Sequence, residues 1–254
     1  ILGNQPRDTA LADLSAGGAC VRLPGSMAGV QIGQKIVLDL PGIGSLPGHI
    51  VGMGPRFTHI QFDAPANDTS SKLNATLAEI AAADQRFIAF VQDRAAAIAQ
   101  RMARALQNGE ISRADLFDEE YQPVPGTNPQ QFTSRFVGLT DRILPEIQEA
   151  MVDFDPRVVF AVTVDRNGYL PTHMKRYSQP QGDDPVWNAA HCRNRRIFND
   201  RAGLAAAVNI EPYLLQTYDR DMGGGRIVTL KEAAAPISVA GEHWGALRLC
   251  YSSR

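Results

Sequence analysis

The sequence predicts an α+β protein in two parts: a small antiparallel β module, then a long helix leading into a five-stranded antiparallel sheet with flanking helices. Three observations carry this. Residues 7–63 are cut into short runs by Gly and Pro, whereas no Gly or Pro occurs from Ala66 to Leu106. Beyond Asn108-Gly109, helical and strand-like periodicities mix, and the chain closes on three strand-like runs. The expected organisation is a β module at 1–66, a connecting helix at 67–110 and a sensor-like domain at 111–254. At 254 residues the chain is long enough for two separate cores.

In the β module, Ala19 to Leu23 reads as a strand stopped by Pro24-Gly25. Gln34 to Leu40 alternates apolar Ile36, Leu38 and Leu40 with Lys35, Val37 and Asp39, the pattern of a half-buried strand. Pro41-Gly42 and the following GIGSLPG stretch read as a turn. Gly48 to Met53 and Phe57 to Phe62 make a hairpin around Gly54-Pro55, and several such strands in about 60 residues suggest a small barrel or sandwich.

The helix opens on Asn67-Asp68-Thr69-Ser70, all good N-caps, and stops at Asn108-Gly109. Leu73, Leu77, Ile80, Ile88, Val91, Ala95, Ile98, Met102 and Leu106 recur at three- and four-residue steps as one apolar stripe, interrupted by Asp84. So long a helix is expected to pack along a domain, to dimerise or to transmit position.

In the last part, Asp115 to Tyr121 reads as a short turn and Pro123 to Pro129 as a loop. Thr127 to Val152 has helical spacing, with a kink expected at Pro145. Arg157 to Val164 is a strong strand, turned by Asp165-Arg166-Asn167-Gly168 into a return strand from Tyr169 to Met174. Asp184 to Asn199 reads as a helix capped by Asp184 with Pro185 at its first position. Tyr213–Asp219, Arg226–Leu230 and Trp244–Tyr251 complete the sheet.

The net charge of −2 argues against a nucleic-acid binder that works by phosphate neutralisation. Cys20, Cys192 and Cys250 are an odd, scattered set without a CxxC, which speaks against a disulfide scaffold or zinc site and for a reducing compartment. Ile1 to Arg7 lacks the basic start and apolar core of a signal peptide, and no apolar run approaches the roughly 20 residues of a membrane span. A start at Ile1 rather than Met leaves a longer parent chain open.

No nucleophile elbow, P-loop, HExxH or dinucleotide fingerprint is present, so an enzyme is not expected. Gly223-Gly224-Gly225 joins two strands and reads as a turn, not as a phosphate cradle opening a helix. His191 and Cys192 are adjacent, a spacing that points helical side chains about 100° apart and forms no thiolate pair. The histidines show no metal-ligand spacing; haem on His173 or His191 is the one cofactor left open.

The densest polar stretch is Trp187 to Asp200. If it is helical, Arg193, Arg196 and Asp200 share a face. Two readings stand for its arginines and Asn194: a bidentate clamp on a carboxylate or phosphate, or a solvated face paired to Asp184, Asp200 and Glu232. Tyr169, His173 and Tyr177 follow the first hairpin, while Tyr218, Arg220 and Asp221 end a later strand. Convergence of these positions would build one pocket from Tyr169, His173, Trp187, Arg193, Asn194, Arg196, Tyr218 and Arg220.

Two resemblances add to this reading. Asp13-Leu14-Ser15-Ala16-Gly17-Gly18, with the Gly29 to Val51 rhythm after it, resembles the later part of a PilZ domain. That implies a six-stranded barrel, with cyclic di-GMP contacts at Asp13, Ser15 and Gly18. The family's paired RxxxR arginines are missing, since Leu11 stands where the partner of Arg7 would be, so the resemblance implies either a truncated chain or a degenerate, structural PilZ-like module. The later stretches Leu116-Phe117-Asp118, Gly126-Thr127-Asn128-Pro129, Asp165 to His173, Arg193 to Asp200, Tyr218 to Gly224 and His243-Trp244-Gly245 resemble a Cache/PAS-like sensor region found with bacterial methyl-accepting chemotaxis proteins.

Together these imply a cytoplasmic sensory module of a chemotaxis transducer, binding a small molecule, an anion among the candidates, and signalling through the long helix. A homodimer, chemotaxis signalling components as partners, no nucleic acid and no membrane span complete the expectation. The alternatives are a cyclic di-GMP-responsive effector and a haem-binding sensor.

Overall fold

A computed structural model describes residues 8–23, 30–64, 66–221 and 227–252, without the side chains of Tyr218, Asp219 and Asp221. The readings placed on Arg7, on Pro24-Gly25, on the 24–29 segment and on Gly223-Gly224-Gly225 lie outside these residues. The chain is α+β, with antiparallel sheets and one long helix, and divides into two compact units, Ile1–Gln85 and Arg86–Arg254. No helix among the described residues is long and apolar enough to cross a membrane.

The first unit holds β1 (Leu11–Ser15), β2 (Gly18–Val21), β3 (Lys35–Leu40), β4 (Gly44–Met53) and β5 (Thr58–Phe62) in one antiparallel sheet of order β1-β2-β5-β4-β3. Among the described residues this sheet is open, with β1 and β3 as edges, where closure was expected. The GIGSLPG stretch, expected to turn, is largely strand: only residues 41–43 turn, and β4 starts at Gly44. Pro47 is tolerated there because its carbonyl accepts Asp63 N–H, so its own missing N–H faces a side where the β5 ladder starts only at Gly48. Val21, Ile36, Leu46, Ile50 and Ile60 form the core, joined by Leu73.

Leu73 lies in α1 (Asn67–Gln107), whose boundaries match the caps in the sequence. The helix ends in a Schellman motif: Gly109, at φ +71°, donates to the Leu106 carbonyl and Glu110 donates to that of Ala105. The single stripe is divided. Leu73 and Leu77 belong to the first core, Phe87, Ile88, Val91, Ala95, Ile98 and Met102 to the second, and Ile80 is exposed.

In the second unit, α2 (Arg113–Leu116) is followed by a two-residue ladder of β6 (Gln122–Pro123) with β7 (Phe132–Thr133). The helix expected from Thr127 therefore begins later, as α3 (Val137–Ala150), because Thr127 Oγ1 accepts Gln131 N–H and donates to the Val124 carbonyl, folding 124–131 back on itself. Pro145 lies inside α3.

β8 (Val158–Asp165) pairs with the last strand of a meander, β11 (Leu214–Asp221), β12 (Ile227–Val239) and β13 (Glu242–Tyr251), in the order β11-β12-β13-β8. Among the described residues the sheet thus has four strands, where five were expected. The expected return strand survives as β9 (Tyr169–Leu170), which pairs with β10 (Arg196–Ile197). Asp165 explains the departure: its Oδ1 accepts the N–H groups of Asn167 and Tyr169, capturing a donor that a ladder with β8 would use. Gly168, at φ +79°, lies so close to the Phe198 carbonyl that a Cβ would stand 2.5 Å from its oxygen.

The expected helix at 184–199 is shorter. α4 (Pro185–His191) starts as read, with Asp184 Oδ1 accepting Val186 N–H, but ends at Cys192. Arg193 N–H then donates to the Tyr177 carbonyl and Arg195 adopts φ +60°, so Arg193, Arg196 and Asp200 share no helical face. Asp200 instead caps a further helix, α5 (Arg201–Ala207), by accepting Gly203 N–H.

Strand alternation gives the four-stranded sheet two different faces. One carries Ala161, Ala233, Ala235, Ile237, Leu247, Leu249 and Tyr251 and packs on α1 from Phe87 onward and on α3; Phe87 stacks on Tyr251 at 4.0 Å. The other carries Phe160, Val162, Val164, Leu230, Ala246 and Cys250 under Leu170, Met174 and Ala207. On this second face the alternation also places Arg220, Glu232 and Arg248, all buried.

Candidate functional site

The second face of the sheet gathers the charges that an apolar core excludes. Glu232, wholly buried on β12, receives Arg248 Nε at 3.0 Å and Nη2 at 2.6 Å, a bidentate pair. Gln216 Nε2 bridges Glu232 Oε1 (2.9 Å) and the Ala202 carbonyl (2.8 Å), which ties α5 to the sheet. Cys250 Sγ lies 3.5 Å from Glu232 Oε2; burial first, then the nearby carboxylate, pushes its thiol pKa well up.

Toward β11 the same face carries Arg220, 1 % exposed, with its guanidinium carbon 4.1 Å from the Tyr177 ring centre and 4.4 Å from that of Phe160. Tyr177 in turn contacts His173 (4.8 Å between centroids). Backbone pairing of 177–179 with 191–193, through Arg193 N–H to the Tyr177 carbonyl (2.7 Å) and Gln179 N–H to the His191 carbonyl (3.1 Å), brings Arg193 beside this group. Arg193 and Arg196 both lie over Phe198, at 4.8 and 5.0 Å, and both donate to the Ala189 carbonyl. Arg176 covers Tyr177 from outside and donates to the Val159 carbonyl.

His173 sits within these cations at 3 % exposure. Burial, then Arg193, Arg220 and Arg176, hold its pKa well below the usual imidazole value, so the ring is neutral. Its Nδ1 accepts Met174 N–H at 2.8 Å.

No family model, curated protein or solved structure matches the chain. The site therefore rests on its own geometry.

Of the expected pocket residues, His173, Arg193 and Arg220 come together, and Arg196 joins through Phe198. Tyr169 does not: it belongs to the first-face core and spends its hydroxyl on the Phe132 carbonyl (2.8 Å). Asn194 is engaged by Gln131, which donates to its carbonyl and Oδ1. Trp187 is 41 % exposed and stacks on His191. The side chain of Tyr218 lies outside the described ones. Phe160, Arg176, Phe198 and Arg248 complete the cluster and escaped the sequence reading, while Glu232, expected to pair with the arginine run, pairs with Arg248 instead. Arg248 had a usable signal, a lone charge in the otherwise apolar run Trp244–Tyr251.

Asp13, Ser15 and Gly18 lie in the β1–β2 hairpin, where their local roles are clear. Asp13 Oδ1 accepts Leu14 N–H, Ser15 Oγ donates to the Gly18 carbonyl, and Gly18 allows β5 to approach: a Cβ there would stand 2.3 Å from the Ile60 oxygen.

A second polar cluster surrounds Asp165, in a cleft lined by Leu116, Phe117, Asp118, Glu119, Phe136, Arg166 and Trp244. Asp165 Oδ2 accepts the Tyr121 hydroxyl at 2.5 Å, and burial raises its pKa to about 6 against the effect of its hydrogen bonds. Arg166 donates to Glu119 and Glu242, while Arg113 also reaches Glu242. These bonds tie the α2 segment to the β8 turn and the start of β13.

Among the described residues no group of three or more His, Cys, Asp or Glu is placed to hold a metal ion. His173 fits poorly as a haem ligand. Coordination through Nε2 would move its proton to Nδ1, against the Met174 N–H that Nδ1 now accepts, and would add iron to a site crowded with arginines.

Proposed function

We propose that the chain is a ligand-sensing module that binds a small anion at the cluster of Arg220, Arg193, His173 and Tyr177. The observation that carries this is the convergence of three cationic side chains on one buried, neutral histidine beside aromatic rings. Such a concentration of positive charge and directed N–H groups suits a carboxylate or phosphate. Tyr177 and Phe198 are half-buried and Arg176 is exposed, so the cluster reaches the protein surface.

The output element in this reading is α1, because its residues from Phe87 to Met102 form the core on the opposite face of the same sheet. The wider reading, a cytoplasmic chemotaxis transducer with a degenerate PilZ-like module and a Cache/PAS-like sensor, is supported by the likeness of the sequence motifs. No hairpin geometry favours cyclic di-GMP, since Asp13, Ser15 and Gly18 are each engaged locally.

A thermal-shift screen of carboxylates, phosphorylated metabolites and cyclic dinucleotides tests the reading. At a hundredfold excess over Kd, binding stabilises by about 2.7 kcal/mol, a rise in melting temperature of roughly 5 °C or more. Arg220→Lys keeps the charge but loses the planar fork and should weaken the best hit about tenfold or more. If no anion shifts the wild type, or Arg220→Lys binds as well as the wild type, the reading fails.

A further inference from the structure

Asp165, 4 % exposed at the end of β8, is a buried carboxylate that forms no ion pair among the described residues. Its three hydrogen-bond donors are neutral: the Asn167 and Tyr169 N–H groups on Oδ1 and the Tyr121 hydroxyl on Oδ2. The nearby guanidiniums are engaged elsewhere. Arg166 pairs with Glu119 and Glu242, Arg113 with Glu242, and Arg135 with Asp118 and Glu120. A buried charge calls for an opposite charge beside it, and the chain supplies none here.

Asp165 also lines a cleft of about 170 Å³, measured to its mouth, with Glu119 beside it and Phe136 and Trp244 as apolar walls. Glu119 Oε1 accepts both Arg166 Nε and Asn167 Nδ2, which leaves its Oε2 without a hydrogen bond among the described residues. Two carboxylates with acceptor capacity to spare thus share one cleft, and aromatic walls favour a cation there. The cleft is well below the roughly 300–1,000 Å³ of ordinary ligand pockets, so only a small group enters. Among the described residues no three His, Cys, Asp or Glu are placed to hold a metal ion, which points to an organic cation.

We propose that this cleft binds a small primary ammonium ion, whose N–H groups bond the carboxylates of Asp165 and Glu119. Phe136 and Trp244 belong to the core of the first sheet face, so this site is separate from the arginine cluster on the second. The two readings stand or fall independently.

A proton and the ammonium ion compete for Asp165, whose pKa burial raises to about 6. The charged or titratable groups around it are Asp118, Glu119 and Tyr121 after α2, Arg135 before α3, Arg166 in its own turn and Glu242 on β13. The Arg166 hydrogen bond holds the Glu119 pKa down and burial raises that of Tyr121, so neither changes charge between pH 5 and 7.5. Binding should therefore be about tenfold weaker at pH 5 than at pH 7.5.

Methylammonium chloride, titrated against the whole chain at ionic strength held constant with sodium chloride, is the probe. The chain has two tryptophans, so in Trp187→Phe the remaining indole N–H signal by NMR is that of Trp244 on the cleft wall. That signal should shift saturably with methylammonium and stay in place with tetramethylammonium, which has the charge but no N–H. Adding Asp165→Asn keeps an acceptor for the two backbone amides, removes the charge and should weaken binding about tenfold or more. The pH series on protein with Asp165 intact is a readout independent of that variant's folding.

An indole signal that methylammonium does not move, or that tetramethylammonium moves equally, would overturn the proposal. So would equal affinity in Asp165→Asn, or an affinity unchanged between pH 5 and 7.5. Calcium ions that shift the same signal at lower concentration than methylammonium would overturn it in favour of a metal.

Discussion

Arg248 and Glu232 pair across β12 and β13 as a bidentate ion pair that is 3 % and 0 % exposed. Removing one partner leaves the other as an uncompensated buried charge, so Arg248→Met should cost about 3–5 kcal/mol in chemical denaturation. Replacing both, as in Arg248→Met with Glu232→Leu, should cost less than the single change. Equal or greater loss in the double variant would mean that the pair holds the sheet by more than mutual neutralisation.

The Asp165 carboxyl, raised to about 6 chiefly by burial, makes stability depend on pH. Its folded pKa exceeds the unfolded value, so the contribution is fully present below about pH 4 and is lost as pH rises through about 6. Near two pKa units, the difference amounts to roughly 3 kcal/mol. Relative to Asp165→Asn, the wild type should therefore lose stability between pH 4 and 7. Parallel melting curves for the two proteins over that range would refute the assignment.

Gly18 tests whether the β1–β2 hairpin needs its motif for packing. A methyl group there meets the Ile60 carbonyl, so Gly18→Ala should destabilise the first unit by about 1–3 kcal/mol without any nucleotide present. Ser15→Ala, at an exposed position, should change stability by less than about 0.5 kcal/mol. Urea unfolding followed by far-UV circular dichroism distinguishes the two.

Cys20, Cys192 and Cys250 are buried and form no disulfide. Thiol reagents should leave them unmodified in the native protein and react with all three in guanidinium. Cys250, whose thiol pKa is raised by burial and by Glu232, should be slowest when the protein is partly unfolded. Rapid native labelling at Cys250 would show that the second sheet face opens.

Local patterns were legible in the sequence wherever a short-range rule governs structure. Asn67 and Gly109 bracket α1, Asp184 and Pro185 start α4, and the strong strand read at 157–164 is β8. What failed depends on contacts distant in sequence. The return strand at Tyr169 looked like half of a hairpin, but Asp165 takes its N–H and β10, some 27 residues on, takes its ladder. The arginine run looked like a helical face, but Arg193 is turned out of the helix by the Tyr177 carbonyl and Arg195 by its positive φ. His173, Arg193 and Arg220, three of the eight residues expected in one pocket, lie close together on the second face. Tyr169, of the same kind, was misplaced because its hydroxyl finds the Phe132 carbonyl on the other face. Nothing local distinguishes these cases.

The central claim is that small anions bind on the second face of the sheet, among Arg193, Arg220, His173 and Tyr177. Backbone amide chemical-shift mapping with the strongest hit of the metabolite screen tests it most directly. The account predicts that the largest shifts fall on 173–177, 193–198 and the β11 residues around Arg220. Shifts confined to the Asp13–Gly18 hairpin or to the cleft beside Asp165 would contradict it.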